Sequence, residues 1–219
     1  MNQPRREIAQ MENAHVEEAY ARWAPVYDLA FATIMAPGRR AAAAAAQRGA
    51  ELILDVGVGT GLELPLFDVG VKLVGVDLSE PMLRRAQNRV EREKLRQVAG
   101  LCVMDATRLA FADARFDAVV APYVLTVVPD PPATLDELAR VVKPGGEIVL
   151  VNHVGAESGP IAWAERWLGQ KSAALGWRPE FPWSILSDWL LSRDDMRLVE
   201  RRKIAPLGLF TLTRIGRLK

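Results

Sequence analysis

Residues Leu52-Ile53-Leu54-Asp55-Val56-Gly57-Val58-Gly59-Thr60-Gly61 run from an apolar strand through an acid into a G-x-G-x-G turn. This stretch constrains the chain more than any other. Glycines let a backbone turn through angles that other residues resist, and they let a ligand approach it closely. A second acid, Asp77, closes the segment Leu73-Val74-Gly75-Val76-Asp77. An acid about 20 residues beyond such a turn is placed to bind ribose hydroxyls in a nucleotide-binding βαβ unit.

Spacing and charge narrow the choice of nucleotide. A dinucleotide turn reads G-x-G-x-x-G and would place its third glycine at Leu62, whereas here it is Gly61. Asp55 stands where a pyrophosphate would approach. A carboxylate there repels phosphate but suits a ligand carrying an ammonium and a sulfonium. S-adenosyl-L-methionine meets that description; NAD and ATP do not.

A chain of 219 residues, half of them hydrophobic, is expected to form one domain with a sizeable core. With 28 basic and 27 acidic residues its net charge is +1, which gives no reason to expect nucleic acid as a partner. Basic residues do cluster locally, at Arg5-Arg6, Arg39-Arg40, Arg84-Arg85, Arg201-Arg202-Lys203 and the Arg214/Arg217/Lys219 tail. Each reads as solvated surface, or several together as contact with an anionic membrane. Cys102 is the single cysteine, so no disulfide within the chain and no metal cluster is expected, and a reduced cytosol is the simplest setting. The N-terminus lacks a signal-peptide stretch, and no window approaches the roughly 20 apolar residues of a membrane span. Any membrane contact is expected to be peripheral.

Along the chain, helices are expected at 6–23, from Tyr27 to Met35, and through the alanine run 41–46, with a break at Pro37-Gly38. Strands are expected at Leu52–Val56, 72–76, 100–104, 116–121 and 147–152. Helices fall between them, from Ser79-Glu80-Pro81 to about Leu95 and over 131–142; Lys143-Pro144-Gly145-Gly146 reads as a turn. Two further strands are expected near 196–204 and 209–215. Alternating strands and helices predict a doubly wound, mostly parallel α/β sheet. Residues 155–191 break the rhythm and hold Trp163, Trp167, Trp177, Trp183 and Trp189. They read as a substrate cap between strands five and six, or as tryptophans packing against the core.

Residues at the carboxyl edge of this sheet are the candidates for chemistry. Asp105, followed by Ala106, is placed to accept from an adenine amine or to cap its own segment; Leu78 and Met82 offer apolar surface to the ring. Ala121-Pro122-Tyr123 brings backbone and a ring towards a reacting group after strand four. His153 is the candidate base or relay, or a structural histidine. Tyr27 and Tyr123 can hold an ammonium through hydroxyl or ring face.

Taken together, Leu54–Gly61, Gly75-Val76-Asp77-Leu78-Ser79, Met104-Asp105-Ala106, Phe116-Asp117 and Lys143-Pro144-Gly145-Gly146 resemble the class I S-adenosylmethionine-dependent methyltransferases over about 50–155. The resemblance implies a Rossmann-like seven-stranded sheet, and S-adenosyl-L-homocysteine as product. Asp55, Gly57, Gly59, Thr60, Gly61, Asp77, Leu78, Met82, Asp105, Ala106 and Ala121 would line the cofactor. The segment Tyr20-Ala21-Arg22-Trp23-Ala24-Pro25-Val26-Tyr27-Asp28 resembles soluble bacterial phospholipid N-methyltransferases, and also quinone-biosynthesis methyltransferases. It implies that Tyr20, Arg22, Trp23 and Tyr27, within an N-terminal lid over 1–40, cover the methionine end of the cofactor. Of the two, the tryptophan-rich segment and Asn152-His153 favour the phospholipid enzyme. The expectation is a cytoplasmic protein acting on an aminophospholipid at an anionic membrane, without an obligate protein partner. Rival readings are a small-molecule methyltransferase, a non-catalytic membrane-binding protein and an NAD oxidoreductase.

Overall fold

The computed structural model describes residues 33–153, 181–204 and 208–219. The expected N-terminal lid residues Tyr20, Arg22, Trp23 and Tyr27 lie outside them, as do Trp163, Trp167 and Trp177 of the expected cap. The chain divides into two compact units, Met1–Ala36 and Pro37–Lys219. In the first, the described residues 33–36 are helical.

The second unit opens with helix α1 over 37–46, where the alanine run turns Ala42, Ala43, Ala45 and Ala46 into the core. The expected break at Pro37-Gly38 is absent, since both residues are helical. Gly38 serves packing instead: a Cβ there would overlap the Tyr123 hydroxyl. Then come β1 (Leu52–Val56), β2 (Lys72–Asp77), α2 (Glu80–Glu93), β3 (Val98–Val103), β4 (Phe116–Pro122), α3 (Pro131–Val141) and β5 (Val142–Asn152). Helix α4 (Trp183–Leu191) and strands β6 (Met196–Ile204) and β7 (Phe210–Arg217) follow.

These strands form one seven-stranded sheet in the order β3-β2-β1-β4-β5-β7-β6. The first five strands are parallel, and β7 runs antiparallel between β5 and β6. The inner strands are apolar because helices cover the sheet: Ile53, Leu54, Val119, Val120, Ile148 and Leu150 are wholly buried. Strand order reverses between β1 and β4, which pair only as far as Asp55 and Val120. Past that point their pairing stops, which puts the topological switch point, and the crevice that accompanies one, at their carboxyl ends. Ligands of open α/β sheets bind at such a switch point.

Other expectations change as well. Lys143–Gly146 is not a free turn but the bulged start of β5. The register jumps from Phe116↔Val142 to Ala118↔Glu147, and Gly146 passes so near the Asp117 carbonyl that a Cβ would sit 2.5 Å from it. The end of the expected cap is also part of the sheet's helical layer. Trp189 in α4 is buried, and its indole N–H donates to Asp136 of α3 at 2.9 Å. Its alternative reading, packing against the core, is the one the structure supports. The basic tail is likewise internal bracing: Arg214 grips Glu147 and Glu200, while Arg217 donates to the carbonyls of Ala139 and Val142.

Candidate active site

The glycine turn is held from below by β2 and from above by its own acid. Gly57 and Val58 both donate backbone N–H groups to the Val76 carbonyl, at 2.8 and 3.1 Å. Val58 is buried, and its methyls lie 3.3 Å from where a Cβ on Gly75 would be, so this residue faces the sheet and not the crevice. Gly59 has φ +53, and among the described residues nothing comes nearer than 3.9 Å to where a Cβ would stand. The space above it is therefore open to a ligand, with Met82 Sδ at its edge.

Asp77, at the end of β2, accepts from Gly59 N–H through Oδ2 and from Ser79 N–H through Oδ1, both at 2.8 Å. It ties the glycine turn to the start of α2, a role the sequence did not announce. Each oxygen keeps a second lone pair for a hydroxyl. Leu78 and Met82 are exposed apolar side chains beside it, 71% and 46% accessible. Val103, which pairs with Asp77 across the β2–β3 ladder, adds a third that sequence reasoning missed.

Asp105 is spent largely on its own turn. Its Oδ1 accepts from both the backbone N–H and the hydroxyl of Thr107, each at 2.8 Å, and these bonds hold its carboxyl below the usual range. Ala106 is half-buried in that turn, and Thr60 lends its carbonyl to Arg89. Ala121 is wholly buried, so only its backbone can line a crevice. Asp117 faces the opposite edge of the sheet, accepting from Glu51 and Leu52 N–H and pairing with Lys143.

The floor of the crevice holds the least expected feature. Asp55 is wholly buried, and among the described residues no donor other than a protonated Glu63 is in place for either of its oxygens. Glu63, also buried, lies within hydrogen-bonding reach and has its own Oε2 without a partner. Burial pushes the Asp55 carboxyl well up, and the charges of Glu63 and Asp77 add to the rise. Burial raises Glu63 too, against the opposing pull of Asp55 and the Arg39 guanidinium. Glu63 is set in place by the short 3-10 turn Leu64–Leu66, which Gln97 pins by donating to the Leu64 and Phe67 carbonyls. Neither Glu63 nor Arg39 was singled out as a site residue from sequence. The available signal was an acid two residues after the last glycine.

On the β4–β5 side, Tyr123 adopts φ +66, a left-handed conformation that is strained for a bulky residue. Its N–H donates to the Val151 carbonyl at 2.6 Å, and its ring meets Phe210 edge-on at 5.1 Å. Burial raises its phenol pKa. His153, just past β5, donates Nδ1–H to the Leu209 carbonyl at 3.1 Å and meets the same Phe210 at 6.3 Å. A carbonyl can only accept, so this bond makes Nε2 the basic nitrogen. Phe210 thus brings Tyr123 and His153 together. Buried beside them, Asn152 has an Oδ1 with no partner.

The comparisons with known proteins agree with this geometry. The family described as "Methyltransferase domain" matches residues 54–150. A phosphatidylethanolamine N-methyltransferase from Cereibacter sphaeroides is 41% identical over 208 residues, which is 94% of this chain and 100% of that protein. The chain belongs to the class I S-adenosylmethionine-dependent methyltransferases. Within them it falls in the family of the Cereibacter enzyme. A demethylmenaquinone methyltransferase from Renibacterium salmoninarum is 39% identical over 49% of this chain and 44% of its own length. Among solved structures, an S-adenosylmethionine-dependent methyltransferase from Methanosarcina mazei shares the fold with a TM-score of 0.62, at 22% identity over 80% of this chain and 97% of that one. Another from Aquifex aeolicus does so with a TM-score of 0.54, at 20% identity over 75% and 81%.

Family and fold make S-adenosylmethionine the methyl donor of this methyltransferase. The residues fit it. An unpartnered buried carboxylate suits an ammonium, the open face of Gly59 admits a ligand against backbone, and Leu78 and Met82 offer apolar surface beside the turn.

Proposed function

We propose that this methyltransferase converts phosphatidylethanolamine stepwise to phosphatidylcholine at a membrane surface. The observation that carries the reading is the match to the Cereibacter phosphatidylethanolamine N-methyltransferase along that protein's entire length. The demethylmenaquinone methyltransferase matches over about half of either chain. A shared cofactor half explains a partial match; a shared substrate half is needed for the full one.

In this reading Asp55 and Asp77 hold the ammonium and ribose of the cofactor, with Leu78 and Met82 against the adenine and the glycine turn beneath. Asp105, Thr60, Ala106 and the Ala121 backbone complete the wall. S-adenosylmethionine supplies an electrophilic methyl on a sulfonium. The chain's own residues must present the headgroup amine in line and without its extra proton. His153 Nε2 is the acceptor of that proton, oriented by the Nδ1–H bond to Leu209. The deprotonated amine would then be free to accept the methyl that the cofactor supplies. One proton leaves the headgroup per round. Tyr123 holds the amine as its donors are replaced by methyls, when ring-face attraction outlasts hydrogen bonding.

Among the described residues no helix is long and apolar enough to cross a membrane, so the lipid would be met from a bilayer surface. Arg201, stacked on Trp183 at 3.8 Å, is a pair of the kind that suits such contact. The test is transfer of labelled methyl from S-adenosylmethionine to phosphatidylethanolamine liposomes, with mono-, di- and trimethylated lipids separated. Labelled lipid in all three forms supports the proposal. Cofactor binding with no labelled lipid refutes it and turns attention to a quinone or another small acceptor.

A further inference from the structure

Two carboxylic acids, Asp55 and Glu63, are shut together at the floor of the cofactor crevice, 0% and 3% exposed. Three of their four oxygens, both of Asp55 and Oε2 of Glu63, have no hydrogen-bond donor. Most buried acceptors in folded proteins are paired, so three at one point with no donor from any other group mark a place that a shared proton or an incoming donor completes. Two neighbouring carboxylates withdrawn from water do not both stay ionised; such a pair holds a proton between them. Among the described residues, Asp55 faces Glu63 and Asp77, Glu63 faces Asp55 and Arg39, and Arg39 in turn faces Tyr123, Glu63 and Arg40. Arg39 favours the ionised Glu63, while burial of both acids disfavours two charges, so a proton or a cation is called for at the pair.

We propose that Glu63 is a second carboxylate of the cofactor site, and that docking of the cofactor's α-ammonium expels the single proton Asp55 and Glu63 share, so that binding releases one proton to solvent. The inference rests on the reading that the methionine end of the cofactor lies against Asp55. The exchange balances. The proton held between the two carboxyls passes to buffer, the ammonium donates N–H groups in its place, and no bond other than O–H is broken.

Two consequences separate this from simple charge attraction. Affinity rises with pH, up to about tenfold per unit, wherever the free pair still holds its proton. The rise ends where the α-ammonium itself titrates. S-adenosylhomocysteine, which keeps the α-ammonium and lacks the sulfonium, releases the same proton.

The experiment is isothermal titration calorimetry of the full chain with each ligand at about pH 6, below the α-amino range. It is repeated in buffers of different ionisation enthalpy, so that the dependence of heat on buffer counts protons. The expected result is close to one proton released for either ligand, and close to none for Glu63→Gln with binding retained. Binding with no proton release in the parent protein overturns the proposal, as does a Glu63→Gln variant that still releases one. Asp55→Asn distinguishes the two layers. Weaker binding by that variant keeps the site reading whatever the proton count, whereas unchanged affinity removes the site reading and the proposal with it. An infrared difference spectrum needs no variant: loss of a protonated carboxyl band on binding supports the shared proton, and an unchanged carboxyl region refutes it.

Discussion

Replacing Asp77 with asparagine keeps the side chain's shape and reverses its hydrogen bonding on one side. The carboxylate accepts from Gly59 N–H and Ser79 N–H, one on each oxygen, both at 2.8 Å. An amide can accept only one of these, and its NH2 then points at the other N–H. Hydrogen bonds to a charged group contribute about 1.5–3 kcal/mol each and neutral ones about 0.5–1.5. Two charged bonds thus become one neutral bond, a gross loss of several kcal/mol. Asp77 is only half-buried, so water relieves part of it, and removing its charge eases Asp55 slightly. The expected net loss is about 2 kcal/mol, at the lower end of that range. For a chain of this size 1 kcal/mol moves Tm by about 2–4 °C, so ligand-free Asp77→Asn should melt about 4–8 °C lower. Circular dichroism at neutral pH measures this, and calorimetry with S-adenosylhomocysteine measures the accompanying loss of affinity. A Tm within about 1 °C of the parent would refute the idea that these two bonds hold the glycine turn. Lower Tm with unchanged affinity would refute the contact with ribose.

Two further outcomes follow from single side chains. Arg214 is 15% exposed and bridges Glu147 and Glu200, so Arg214→Ala leaves Glu147 without that cation and Glu200 with Arg202 alone, and should cost about 2–3 kcal/mol in urea unfolding at pH 7. Arg214 depresses the Glu200 carboxyl, so that group's share of stability is present above its unfolded value of about 4.3 and fades as pH falls through the folded one. The penalty should therefore shrink in acid; a pH-independent penalty would contradict the ion-pair account. Trp189→Phe deletes the indole bond to Asp136 between α4 and α3, and should cost about 1–2 kcal/mol while leaving methyl transfer intact. Loss of transfer at full folding would return Trp189 to the substrate site.

Much of the sheet was legible because its signals are local. Leu52–Val56 was expected as a strand and is β1; the expected strands at 72–76, 116–121 and 196–204 are β2, β4 and β6 to within a residue at either end. In β1, β2 and β4, runs of mostly buried apolar residues carry that information without any partner; β6 is largely exposed and is not such a run. Lys143–Gly146 was misread for the same reason: proline and two glycines look like a turn. Only the pairing of β4 with β5 shows that they accommodate a bulge against Asp117. Arginine-rich stretches were read as surface because a sequence shows charge but not its counterion. Arg214 and Arg217 prove to be braced inside the fold.

What the sequence by itself determined is the cofactor half: the glycine turn, Asp55 at the end of β1 and Asp77 at the end of β2, all set by short-range spacing within one βαβ unit. What only the tertiary structure decided is how those residues are used. The left-handed Tyr123 and the Nδ1-bonded His153 meet through Phe210, 57 positions beyond His153 in the chain, because β7 inserts antiparallel beside β5. Asp55 and Glu63 form a shared buried acid with Arg39 at its side because the 3-10 turn after the glycines folds back under Gln97. Burial and pairing are properties of a closed surface, and no single segment of chain contains them.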